Sequence, residues 1–168
     1  MSKSLEPIDP GVVVGHVHLK VSHLERSIQF YREALGFEVT QRMGDSAAFL
    51  SAGGYHHLLG LNTWESRGAG PAPRGRAGLY HAAFLYPTRT ALAVACRRLA
   101  TLGVPLEGAA DHGVSEALYL RDPDDNGLEL YWDRPKDDWP RSEDGSLAMF
   151  SRPLDLGGLL ALAPAGAR

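Results

Sequence analysis

An α+β fold made of two tandem βαβββ modules is predicted by three features of this 168-residue sequence. A valine-rich, alternating stretch leads into a helical stretch and then into three short extended segments. After a Gly/Pro/Arg-rich break the same order recurs. In each copy a histidine stands near the beginning of the first strand, His16 and His81, and the spacing agrees: His16 precedes Gly36 by 20 residues and His81 precedes Gly103 by 22. Repetition on this scale is read before any local motif.

The elements follow in order. Val12 to Val21 reads as a strand with His16, His18 and Lys20 on one face and Val17, Leu19 and Val21 on the other. The helix then runs to Gly36, with Ser22 as N-cap, Glu25 at the capping-box spacing, and Leu24, Ile28, Tyr31 and Leu35 on one face. Phe37–Met43, Ala47–Ala52 and Tyr55–Thr63 are short strands parted by glycines. Beyond the linker Ser66–Gly78, Leu79–Tyr86 is a strand and Thr88–Leu102 a helix ending at Gly103; Val104–Leu106, Ser115–Leu120 and Leu128–Trp132 are strands. The expected division is an N-terminal extension, 1–11, a single domain, 12–133 (modules 12–65 and 79–133), and a polar, Pro-rich tail, 134–168, ending in a short helix at Leu154–Leu162.

Composition narrows the function. No stretch approaches the ~20 apolar residues of a membrane span, and the first residues lack the apolar core of a secretory signal. Seventeen basic against twenty acidic residues, without a long basic run, leave no footprint for nucleic acid. One cysteine, Cys96, forms no internal disulfide and no cysteine-rich zinc site. A reducing cytoplasm is the expected setting.

Seven histidines are the compositional oddity. Taken singly, a strand histidine is more often a half-buried, hydrogen-bonded residue than a metal ligand. Glu129, however, sits in an otherwise apolar strand, Leu128-Glu-Leu-Tyr-Trp132, where a carboxylate is costly unless paired or metal-bound. With His16 and His81 at matching places in a repeat, two imidazoles and one carboxylate make the donor set of a divalent ion with open positions, as in non-haem Fe(II) oxygenases. Asp122-Pro-Asp-Asp-Asn-Gly127 nearly fits a calcium loop, but strands flank it and the twelfth position is Asp133; a tight turn explains it better. Trp64, Tyr131 and Trp132 are candidates for the wall of an aromatic pocket, although strand aromatics usually fill a core. His23 is expected in solvent.

Gly15-His-Val-His-Leu-Lys-Val-Ser-His-Leu-Glu-Arg-Ser-Ile-Gln-Phe-Tyr-Arg-Glu-Ala-Leu-Gly-Phe37 resembles the opening of the vicinal oxygen chelate superfamily of glyoxalases, bleomycin-binding proteins and extradiol dioxygenases. His112-Gly-Val-Ser-Glu-Ala-Leu-Tyr-Leu-Arg-Asp-Pro-Asp-Asp-Asn-Gly-Leu-Glu-Leu-Tyr131 resembles its second half. The resemblance, over roughly 12–133, implies a cupped mixed sheet around a metal held by His16, His81 and Glu129. Glyoxalase-like members add a fourth ligand on the last strand of module 1; that place falls at or near Gly60, which has no ligand atom. Ring-cleaving members instead add an acid–base histidine just before that strand, where His57 stands, and a histidine and tyrosine leading to the glutamate, matched by His112 and Tyr119. His18 is read as a pocket wall or a support to the ligands.

On this resemblance the expectation is a catechol 2,3-dioxygenase-like oxidoreductase using Fe(II), with Mn(II) or another divalent metal as alternatives. Its partners would be a catechol-like diol and O₂, and its assembly a homodimer. His57, with an unperturbed pKa near ~6.5, would take and return a substrate proton. Tyr119 and His112 would hydrogen-bond the substrate oxygen as the ring opens. The other readings are a glyoxalase-like lyase or isomerase, and a non-catalytic small-molecule (antibiotic) binding protein.

Overall fold

The protein is described by a computed structural model covering residues 6–166; the first five residues of the expected N-terminal extension and the last two of the tail lie outside the described residues. Module 1 comprises β1 (Val17–Lys20), α1 (Leu24–Leu35), β2 (Glu38–Met43), β3 (Ala47–Ser51) and β4 (Leu59–Asn62). Module 2 repeats it with β5 (Ala82–Leu85), α2 (Arg89–Thr101), β6 (Leu106–Asp111), β7 (Ser115–Arg121) and β8 (Gly127–Asp133). Backbone pairing stays within each module, giving two mixed sheets, β1-β4-β3-β2 and β5-β8-β7-β6-β9. In each, the first strand lies parallel to the last and the others are antiparallel. The repeat extends to its irregularities. Both second strands carry a bulge at the same place, between Val39 and Gln41 and between Leu106 and Gly108.

Strand alternation sorts each sheet into a covered and an open face. Leu19, Leu50, Leu59 and Leu61 of module 1, with Leu118, Leu120, Leu128 and Leu130 of module 2, are buried in one core shared with Leu24, Ile28, Leu92 and Leu99 of the helices. Each buried leucine contributes about 1.5–3 kcal/mol. The opposite face is left for His18, Phe49, Gly60, Tyr119 and Glu129.

Several boundaries differ from expectation. Val12–Val14 are extended but unpaired and exposed by 58%, 80% and 91%, so β1 begins only at Val17. Consequently His16 and His81 sit one residue before their strands, not on them. Ser22 is not the N-cap of α1: His23 holds that place without a side-chain bond, because the Ser22 hydroxyl donates to Asp124 instead. Thr88 does cap α2, accepting from the Ala91 N–H at 3.0 Å. Residues 55–58 form a loop before β4, and β6 runs Leu106–Asp111 instead of ending at Leu106.

The Asp122–Gly127 turn is structural, as expected. Asp122 accepts from the backbone N–H of Asp124 and Asn126 and from the buried Tyr31 hydroxyl, while Asp124 pairs with Arg26 of α1. The two carboxylates thus tie module 2 to the first turns of α1. The tail adds a 3-10 turn at Lys136–Asp138, the two-residue strand β9 (Arg152–Pro153) beside β6, and α3 (Leu156–Leu160), whose Leu159 is buried in the core. Among the described residues no helix is long and apolar enough to cross a membrane.

Candidate active site and metal centre

Strand register turns the repeat into a map of the open face. Val17 pairs with Leu59 and His18 with Gly60; Ala82 pairs with Leu128 and Ala83 with Glu129. Phe49 faces Gly60 as Tyr119 faces Glu129. His16 is therefore the counterpart of His81, Phe49 of Tyr119, and Gly60 of Glu129. One module carries the carboxylate; the other has no side chain in its place.

In module 2 four predicted residues form one chain of contacts. His81 Nε2 lies 2.9 Å from Glu129 Oε2. The Tyr119 hydroxyl donates to Glu129 Oε1 at 3.0 Å, and His112 Nε2 lies 2.7 Å from the same hydroxyl. On its far side His112 Nδ1 is 3.2 Å from the carbonyl oxygen of Phe150. Because a carbonyl only accepts, Nδ1 carries a hydrogen. A neutral His112 and a neutral Tyr119 then supply two protons for three contacts, and a third proton on Nε2 satisfies all of them. Burial, and then the nearby Glu129 carboxylate, push the Tyr119 phenol far above its ordinary range, so it acts as a donor and not as a base.

The same pair offers a metal position. Glu129 is 13% exposed and His81 30%, and His81 Nδ1 is buried without a hydrogen-bond partner. At this distance Nε2 either donates a hydrogen to the carboxylate or, with the hydrogen on Nδ1, shares a cation with it. Two donors about 2.1 Å from one ion and at right angles to each other stand about 3.0 Å apart, close to the distance seen. The nitrogen and oxygen donors suit Fe(II), Mn(II) or a related divalent ion.

His16 is not in this group. It is exposed, and its ring lies 4.6 Å from that of His57. Among the described residues no three His, Cys, Asp or Glu side chains converge as they would around an ion. The module 1 cluster comprises His16, His57, His56 and His18, with Phe49 5.0 Å from His57 and Trp64 5.5 Å from His18. His57 stands in the loop two residues before β4 and shares one hydrogen with His56, Nδ1 to Nδ1 at 2.7 Å. Desolvation, followed by the charges of His56, His16 and His18, lowers the His57 pKa, which favours a neutral, proton-accepting ring. His23 is exposed, as expected. Trp64 is 59% exposed beside His18, whereas Trp132 packs against the core.

His18 is expected as a pocket wall or a support to the ligands, and the register gives it a sharper part. A Cβ at Gly60 would fall 2.8 Å from His18 Cγ and 2.9 Å from its Nδ1 and Cδ2. The imidazole occupies the space that a fourth ligand would need. In module 2 the choice is reversed: the small Ala83 lies beside Glu129.

A cavity of about 450 Å³, lined by His81, Tyr119, Tyr80, Arg74, Arg121 and Glu107 among others, opens beside the chain, within the usual range for small ligands. Arg74 in the linker closes one end through Asp125 and Glu107. A larger groove of about 870 Å³ between α1 and β2 is lined by none of the site residues.

Comparison with known proteins agrees with this fold. The family model described as Glyoxalase/Bleomycin resistance protein/Dioxygenase superfamily matches residues 13–130. The chain belongs to that superfamily. It is similar to the catechol-2,3-dioxygenase of Bacillus subtilis (strain 168), with 44% identity over 147 residues covering 88% of this chain and 50% of that protein. It also resembles the manganese-dependent 2,3-dihydroxybiphenyl 1,2-dioxygenase of Geobacillus genomosp. 3, at 29% identity over 78% of this chain and 39% of that one. The chain thus spans half or less of these two curated relatives. A glyoxalase/dioxygenase from Nostoc punctiforme superposes with a TM-score of 0.64 at 17% identity, over 80% of this chain and all of that one, and so supports the fold. Of these relatives, the Geobacillus enzyme is manganese-dependent by name.

Proposed function

We propose that this superfamily member carries the catalytic centre of an extradiol ring-cleaving dioxygenase acting on a catechol-like diol with O₂. The His81–Glu129–Tyr119–His112 chain, whose His81 and Tyr119 line a cavity, is the observation that carries the reading. His81 and Glu129 would hold the divalent ion, Fe(II) before Mn(II), and His16, the repeat equivalent of His81, would join them as third ligand only by leaving its place against His57. The ion supplies a common site at which diol and O₂ exchange electrons.

The chain's own residues do the rest. His57, held neutral by its surroundings, accepts a proton from a diol hydroxyl and returns it later. Tyr119 donates to a substrate oxygen on which charge gathers as the ring carbon–carbon bond next to one hydroxyl breaks. His112, with Nε2 2.7 Å from the Tyr119 hydroxyl, holds that donor in place, and the walls of the cavity orient the ring. A glyoxalase-like lyase is disfavoured by His18, which fills the fourth-ligand space. We place the protein in the cytoplasm as a homodimer; sedimentation of the purified chain tests the assembly.

Metal analysis of anaerobically prepared protein tests the class. Bound iron or manganese that supports oxygen uptake with a catechol is expected. Nickel or zinc with lyase activity overturns the reading in favour of a glyoxalase, and tight catechol binding without turnover in either metal form overturns it in favour of a sequestering protein.

A further inference from the structure

The family match ends at residue 130, yet the chain that follows returns to the site. Phe150 meets His112 twice: its N–H donates to the His112 carbonyl at 3.2 Å, and its own carbonyl accepts from His112 Nδ1 at 3.2 Å. No other polar group touches Nδ1 among the described residues. The Phe150 ring lies against Gly113, where a Cβ would come within 2.7 Å of the ring and 2.8 Å of Pro140, and Arg152 stands 4.3 Å from the ring centroid. Two residues on, β9 pairs with the end of β6, Asp111 with Arg152 and Ala110 with Pro153. Arg134, at the root of the tail, grips the same turn from below, through both oxygens of Asp111 at 2.9 and 3.1 Å. The strap is held at both ends, and its centre is a single backbone carbonyl aimed at a site histidine.

We infer that the tail, through Phe150, is a positioning device for His112: the carbonyl fixes the ring hydrogen on Nδ1 and thereby points Nε2 at Tyr119. The inference rests on the dioxygenase reading for its purpose but not for its geometry. A histidine free to turn would present either nitrogen to Tyr119, and in half its orientations the proton chain to Glu129 would be broken. Partners of this kind, which orient a functional imidazole without touching substrate, are typically worth roughly 10–100-fold. The strap also gives Gly113 a reason: any side chain there would lift Phe150 away.

Long-range ¹H–¹⁵N correlation of the histidine rings in the full chain reads the ring hydrogen directly, with His112 assigned by its absence in His112→Asn. The wild type is expected to carry a hydrogen on Nδ1 of His112. Phe150→Ala should move it largely to Nε2 and lower turnover roughly 10-fold with KM changed less than about 2-fold, and Phe150→Tyr should restore both. Arg152→Ala, which removes the guanidinium packed on the Phe150 ring and so loosens the strap, should shift the signals partway in the same direction. A wild-type His112 lacking hydrogen on Nδ1, or ring signals unchanged in folded Phe150→Ala, would overturn the inference. Should the tautomer behave as expected while no catechol is cleaved, the strap stands and the dioxygenase reading falls.

Discussion

Gly60→Ala places a methyl group 2.8–2.9 Å from three atoms of the His18 ring. Relaxed carbon contacts lie at roughly 3.5–4.0 Å, so the ring must retreat by roughly 0.7 Å or swing off the sheet and give up Trp64 and Phe49. Overpacking of this kind costs about 1–3 kcal/mol, and the exposure of His18 places the expected loss near the lower end. In a His18→Ala background the clash is gone. There the same substitution replaces a strand glycine and should stabilise by about 0.5–1 kcal/mol. Urea unfolding of the wild type, both single variants and the double variant should therefore give a coupling of at least ~1 kcal/mol between sites that face each other across β1 and β4. The functional corollary is that Gly60→Glu gains a fourth metal ligand only when His18 is also truncated. Additive effects within about 0.5 kcal/mol would refute the claim that His18 holds the fourth-ligand space.

Other outcomes follow from the site. Tyr119→Phe should leave metal content unchanged and lower the single-turnover ring-opening rate more than it weakens catechol binding, because the lost hydrogen bond matters most in the transition state; an unchanged rate would make Tyr119 an ordinary sheet aromatic. His57→Ala should keep the metal but slow turnover by ~10²–10⁴-fold and erase an acid limb that, from the lowered pKa of His57, lies below ~6.5; loss of metal would instead make His57 a ligand. Asp111 sits below its usual range even though desolvation pushes the other way, because the Gly113 N–H and Arg134 bind its charged form. With its folded pKa depressed, its contribution is present above the unfolded value near ~3.9 and lost as pH falls through the folded one. The stability gap between wild type and Asp111→Asn should accordingly close in acid melts, and a gap independent of pH would show that the charge is irrelevant.

The module plan was legible because it rests on local signals that tertiary contacts reinforce: alternation, a helix stop at Gly36 and Gly103, and their recurrence. What stayed hidden depends on partners distant in sequence. Val12–Val14 are β-branched like a strand but join no ladder; the Val12 N–H turns back to the Asp9 carbonyl. The Ser22 hydroxyl goes to Asp124, about a hundred residues later, so a sound capping pattern gave no cap. β9 is two residues long and contains a proline; only its pairing with β6 makes it a strand. In the site, Glu129 was conspicuous as a carboxylate among leucines, and the resemblance brought Tyr119 and His112 with it. Their direct contacts follow from the pairing of Tyr119 with Glu129, a register that no single strand encodes. His16 matched by position, yet it rests on His57, because proximity across two separate sheets is not set by either one's sequence. Phe150 carried no signal at all, since its part is played by a backbone carbonyl.

Cleavage under ¹⁸O₂ tests the central claim most directly. The anaerobically iron-loaded chain is mixed with a catechol, the labelled gas is admitted, and the ring-opened product is weighed by mass spectrometry. One O₂ consumed per diol, with both labelled atoms in a product opened next to one hydroxyl, is the predicted result. Intact catechol with no oxygen consumed, in both the iron and the manganese forms, would contradict it.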